Sequence, residues 1–119
     1  MGIENIIKQY LRTLKSGNYE AIVKLFTKDA VVYSPIYGRR NVKTFFKEVF
    51  ADTVKSKLTL FNIFKGKNSA AFHFNYEWTL KNGTVVSSET IDIIKISKGK
   101  IKELKIIYDA SKTRKALKR

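Results

Sequence analysis

Cysteine is absent from the chain, which excludes disulfides and thiolate chemistry and suits an intracellular protein. There is one histidine, His73, so no multi-histidine metal centre can form. Apolar runs fall far short of the roughly 18 residues that a membrane span needs. The opening Met1-Gly2-Ile3-Glu4-Asn5 carries no basic segment followed by an apolar one, so no signal peptide is expected. Phosphate-binding loops, dinucleotide fingerprints and nucleophile elbows are missing too, as are internal repeats and low-complexity stretches. These absences predict a soluble, cytoplasmic protein with no metal, no cofactor and no membrane partner.

Acidic residues are also scarce, ten against 24 lysines and arginines, for a net charge of +14. Nineteen of those 24 are lysine, spread along the whole chain. A phosphate-gripping surface would lean on arginine, whose planar fork holds phosphate through two bonds. Scattered lysine reads instead as a solvated surface, with a nucleic-acid or acidic-surface partner as the less favoured alternative.

What is present is core material: 44% hydrophobic residues, fifteen of the 119 residues being aromatic. A chain of this length is one domain and hides roughly two-thirds of its unfolded surface.

Its first half has helical spacing. Ile3, Ile6, Ile7, Tyr10, Leu11 and Leu14 recur every three or four residues and predict a helix over 3–15, stopped at Gly17. A second short helix follows over 19–26, with Asn18 as its cap. Residues 29–34 predict a strand ended by Pro35, and 37–40 a turn. Asn41 then caps a third helix reaching about Asp52. From Lys57 onward the chain changes to long strand-like runs over 57–65, 69–81, 84–97 and 100–109. Lys67-Asn68, Asn82-Gly83 and Lys98-Gly99 punctuate them as turns. Three helices and an antiparallel meander predict an α+β fold, helices packed on one side of a curved sheet. Residues 1–109 form the domain, and 110–119 a basic tail that is a frayed end or short helix.

Three stretches resemble the NTF2-like superfamily, and within it the SnoaL-like proteins and ketosteroid isomerases. Residues 10–22 are similar to the family's first helix, its "small-Gly-Asp/Asn" break and its second helix. Phe26-Thr27-Lys28-Asp29-Ala30-Val31-Val32 resembles its "F-x-x-D-A-x-V" entry to the first strand. Gly38 with Phe45 and Phe46 matches its "G-x-x-x-I-x-x-F" segment. The resemblance spans about residues 3–109 and implies a cone of helices on a mostly antiparallel sheet, enclosing a pocket for a small apolar or carbonyl-containing molecule. It leaves the reaction open, because one fold hosts many functions.

The isomerases pair a first-helix tyrosine with a late-strand acid as donors to an enolate, the acid kept neutral by an apolar site. The resemblance carries these roles to Tyr10 and Asp92. Their base, an aspartate before a proline, is here Ser34, which cannot abstract a proton.

Two readings of Asp92, set among Ile91, Ile93 and Ile94, stand side by side: a neutral acid in a pocket, or a carboxylate held by backbone or lysine at the sheet edge. Tyr10 is either a pocket donor or a core tyrosine bonded locally. Tyr33, Ser34, Tyr37, Phe46 and Phe50 are expected to line the pocket. His73 and Glu77, on one strand face, are the other polar candidates; Glu89 falls on the face opposite Asp92, and Asp109 caps the tail. Three functions follow: a small-molecule-binding domain, an isomerase or lyase using Tyr10 and Asp92, or a module binding protein or nucleic acid through the basic surface. Apolar residues on both faces of 69–81 and 84–97 further predict a homodimer through the outer sheet face.

Overall fold

The apolar stripe of the first segment forms α1 (Ile3–Ser16), burying Ile6, Ile7, Tyr10, Leu11 and Leu14 and leaving Lys8, Arg12 and Lys15 in water. The fold is described from a computed structural model covering residues 2–118. Met1 and Arg119, the last basic residue of the tail, lie outside the described residues. Gly17 ends α1 at φ +67°, a left-handed conformation that glycine adopts without a Cβ clash.

Asn18 caps α2 (Tyr19–Val23) by accepting from the Ala21 N–H. This helix is shorter than its spacing predicts, because Phe26 leaves it to begin β1 (Phe26–Ser34). Phe26 pairs there with Ile101, whose N–H donates to the Leu25 carbonyl at 2.9 Å. Pairing with a strand 75 residues away overrides local helical preference.

The predicted turn at 37–40 is also corrected. Ser34 Oγ accepts from the Tyr37 N–H at 2.9 Å, which tightens the chain over Pro35–Tyr37. Gly38–Asn41 then returns as β2, antiparallel to β1. Asn41 caps α3 (Val42–Ala51) through the Lys43 N–H.

The meander consists of β3 (Thr53–Lys65), β4 (Ser69–Leu80), β5 (Val85–Ser97) and β6 (Lys100–Ile107). Lys98 and Gly99 both take positive φ, the two-residue geometry that matches strand twist in a tight hairpin. The six strands lie in the order β2-β1-β6-β5-β4-β3. All neighbours are antiparallel except β1 and β6, which run parallel.

A fourth helix, α4 (Ser111–Leu117), extends the predicted three. Asp109 Oδ1 accepts from the Ser111 N–H and hydroxyl at its start. Arg114 ties it to the Pro35 carbonyl at 2.9 Å, and Asn82 donates to the Ala116 carbonyl at 3.0 Å. Among the described residues no helix is long and apolar enough to cross a membrane.

Alternation sets the two faces of the sheet. Ala70, Phe72, Phe74, Trp78 and Leu80 on β4, with Val86, Thr90, Asp92 and Ile94 on β5, are buried against α1 and α3. The other face carries His73, Asn75 and Glu77 and leaves Phe61, Phe64, Ile91 and Ile107 between 42% and 60% exposed.

Candidate ligand-binding site

Two periodicities converge on one cavity of about 50 Å³. From the sheet, every second residue of β4 and β5 reaches it: Phe74, Tyr76 and Trp78, then Ser88, Thr90 and Asp92. Ile106 and Tyr108 continue the wall at the end of β6. From the helices come Tyr10 and Leu14, four apart on α1, and Phe45 and Val49, four apart on α3. Ser34 and Tyr37, on either side of the β1–β2 turn, complete it.

Tyr10 and Asp92 thus line the same cavity from opposite layers, with Ser34 and Tyr37 beside them. Three other expected lining residues do not reach it. Tyr33 pairs with Lys105 on β6, one position out of phase with the buried Val32–Leu104 pair, so it turns to the outer face. Phe46 and Phe50 sit one step further round α3 than Phe45 and Val49, and pack into the core behind the cavity. Phe46 contacts Tyr10 at 6.3 Å and Phe26 at 5.6 Å between ring centres.

Sequence reasoning missed Phe74, Tyr76, Trp78 and Tyr108. The even-numbered alternation of β4 was the available signal; which of its two apolar-bearing faces met the helices was not.

Asp92 is 1% exposed, and its Oδ1 has no hydrogen-bond partner among the described residues. Its cross-strand neighbours, Phe72 and Ile106, have no donors. Lys95 lies on the other face and pairs with Glu103 at 3.3 Å. Burial therefore pushes the Asp92 carboxyl well above the ordinary carboxylate range, because the charged form loses its hydration. Desolvation, with the Asp92 charge adding to it, likewise raises the Tyr10 phenol. Tyr76 is raised by burial, partly offset by Ser56. Burial pushes Tyr108 up to about 12, partly offset by the nearby Thr113 hydroxyl and the Arg114 charge. The polar end of the cavity is an acid among phenols, all of which burial biases toward their uncharged forms.

Other side chains hold the wall in place. The Tyr37 hydroxyl donates to Asp52 Oδ2 at 2.6 Å, and the Trp78 indole N–H to Thr53 Oγ1 at 2.8 Å. His73 and Glu89 face each other on the outer side of the sheet, Nε2 to Oε2 2.7 Å, and Glu77 shares that face. None of the three reaches the cavity, whose described lining holds no carboxyl besides Asp92 and no histidine. Among the described residues no cluster of three or more histidine, aspartate or glutamate side chains is placed to share a metal ion.

Solved structures with this fold are numerous. An NTF2-like protein from Cytophaga hutchinsonii is 16% identical, covers 95% of each chain and superposes with a TM-score of 0.79. A protein of ketosteroid isomerase-like fold from Catenulispora acidiphila, in complex with trimethylamine, is 13% identical with a TM-score of 0.80, over 89% of this chain and 86% of its own. A candidate SnoaL-like polyketide cyclase from Shewanella putrefaciens is 10% identical, with a TM-score of 0.77 over 99% and 87%. Identities this low establish the fold alone. No curated protein matches the sequence. The sequence profile of the SnoaL-like domain, however, matches residues 7–104, a span running from α1 to β6 and taking in both sides of the cavity, and the chain belongs to that family.

Proposed function

We propose that this protein binds a small, largely apolar molecule in the cavity, with the polar end of the ligand at Asp92 and Tyr10. The observation that carries this reading is the buried Asp92 carboxyl, whose Oδ1 lacks a hydrogen-bond partner among the described residues. Such a group costs stability, by about 1–3 kcal/mol for an unpaired polar atom. A ligand that bonds to it offsets that cost. Two polar ends suit the site: a carbonyl, as the isomerase resemblance implies, or an amine, as in the trimethylamine complex of the Catenulispora relative.

An isomerase or lyase using Tyr10 and Asp92 as donors is the second reading, supported by their shared cavity. It ranks below binding because the described lining offers no base: Ser34 stands at that position, and His73, Glu77 and Glu89 belong to the outer face. The basic surface as a docking site for protein or nucleic acid ranks third. A cytoplasmic location suits a cysteine-free chain.

We also infer a homodimer through the outer face of the sheet. Phe61, Phe64, Ile91 and Ile107 are 42–60% exposed there, around the His73–Glu89 pair, and large exposed apolar side chains grouped together mark an interface.

A ligand screen by thermal shift and NMR tests the binding reading, with short ketones, alcohols and amines against wild type and Asp92→Asn. At least one class should bind wild type and perturb signals of Tyr10, Tyr76 and Trp78. Binding of none of the three classes would remove the reading.

A further inference from the structure

The cavity wall is selective in charge. Among the described residues its lining includes seven aromatic side chains, four of them tyrosines, one carboxyl, and no lysine, arginine or histidine, in a chain with 24 basic residues. We propose that this cavity is a binding site for a small alkylammonium ion, with its N–H donating to Asp92 Oδ1 and its alkyl groups among the rings of Tyr10, Tyr76, Trp78 and Tyr108. The inference rests on the reading of the cavity as a ligand site and decides what its polar end takes.

Asp92 Oδ1 has no partner among the described residues, and as a carboxylate oxygen it takes a donor from the ligand. A carbonyl ligand can only accept the proton of the neutral carboxyl, which leaves the surrounding ring faces without a cation. An ammonium brings the donor and the compensating charge together.

Aromatic faces attract cations through the ring quadrupole and offer nothing comparable to a carbonyl oxygen or an anion. A carboxylate ligand would meet Asp92 with no cation in the described lining to balance it. The net charge of +14 opposes approach of a cation, but surface charges are screened within about 8 Å at physiological salt.

Size narrows the class further. A cavity of about 150 Å³ accepts benzene, and this one is about 50 Å³. Short alkylammonium ions fit that scale, whereas fused-ring molecules require the walls to move.

Without ligand, burial favours the protonated form of Asp92. On binding, its proton passes to solvent and the carboxylate oxygen accepts the ammonium N–H. The titratable groups facing Asp92 are Tyr10 from α1, Tyr76 from β4 and Tyr108 beyond β6, all raised by burial. Tyr37, bonded to Asp52, lines the cavity as well. Asp92 therefore carries the pH dependence, and affinity climbs about tenfold per pH unit while it remains protonated.

The test is an NMR titration of the intact protein with dimethylammonium chloride and, separately, acetone, at constant ionic strength from pH 6 to 9. Dimethylammonium should bind saturably with a millimolar Kd, the range open to so few heavy atoms, and more tightly at higher pH. Asp92→Asn should weaken it by about thirtyfold or more, as truncating a buried charge pair does. Dimethylammonium binding that ignores both pH and Asp92→Asn overturns the proposal, as does acetone binding in the absence of dimethylammonium binding. The latter result leaves the ligand-site reading intact. Binding of neither probe also overturns the ammonium proposal, and the wider screen then decides the ligand-site reading. If Asp92→Asn fails to fold, the pH series on wild type decides alone: flat affinity overturns the proposal.

Discussion

Asp92 stands directly across the β4–β5 ladder from Phe72, and both side chains turn inward, 1% and 0% exposed. An acid paired with a fully buried phenyl ring has no donor on that side. Ile106, its partner across the β5–β6 ladder, offers none either. The apolar environment of the carboxyl is thus set by register, residue against residue, rather than by general depth in the molecule.

The stability consequence of Asp92 follows from that placement. Its folded-state pKa is raised, so the native state holds a proton that the unfolded chain releases above about pH 3.9. Stability therefore falls as pH rises from there toward the raised value, by up to about 1.4 kcal/mol per pH unit. Asp92→Asn removes the slope, and its Tm should equal or exceed that of wild type between pH 7 and 8. Melting curves from pH 5 to 9 check this. A wild type more stable than the variant across the whole range would mean a carboxylate that is partnered.

Tyr10→Phe separates a pocket tyrosine from a core one. Its ring lies 6.1, 6.3 and 5.9 Å from those of Phe26, Phe46 and Phe72, contacts that phenylalanine preserves. Tm should stay within about 4 °C of wild type, a change of about 1 kcal/mol or less in a domain of this size. Ligand affinity should drop severalfold. A larger loss of Tm with unchanged affinity would assign the hydroxyl to the core.

Tyr37→Phe should act through the other end of the cavity. The lost bond to Asp52 Oδ2, 2.6 Å long, ties the β1–β2 turn to the C-terminal end of α3. Hydrogen bonds to charged groups contribute about 1.5–3 kcal/mol, so Tm should fall by several degrees in thermal denaturation. A Tm equal to wild type would show that the turn holds its position without this bond.

Ile91→Lys tests the outer face. Ile91 is 42% exposed and lies beside His73 and Ile107 in the ladder. Sedimentation should show a dimer for wild type and a monomer for the variant, with little change in the monomer's stability. A monomeric wild type at micromolar concentration would remove the dimer.

Legibility from sequence divides along the range of the interaction. The three N-terminal helices, the caps at Asn18 and Asn41, the glycine stop at Gly17 and the meander were readable, because each depends on residues within a few positions of one another. The alternation that sets Asp92 on the face opposite Ile91 and Lys95 was readable, but which of the two faces turned inward was not, since both carry isoleucine. The early end of α2 was hidden, since Phe26 satisfies a helical stripe as well as a strand. The turn predicted at 37–40 failed because Ser34 caps Tyr37 and releases Gly38–Asn41 to pair with β1. Tyr33, Phe46 and Phe50 were assigned to the pocket by position in the chain, and a single step in phase moved each of them elsewhere.

By itself, then, the sequence determined which residues could turn inward, since apolar spacing and backbone period are local properties of the chain. Tertiary structure decided which inward residues meet. The parallel pairing of β1 with β6 brings Ser34 beside the end of β6 and Tyr108. The packing of α1 and α3 against that sheet closes the space around Asp92 to about 50 Å³. Those contacts join residues dozens of positions apart, and close packing of the whole core, rather than any one segment, sets the space left between them.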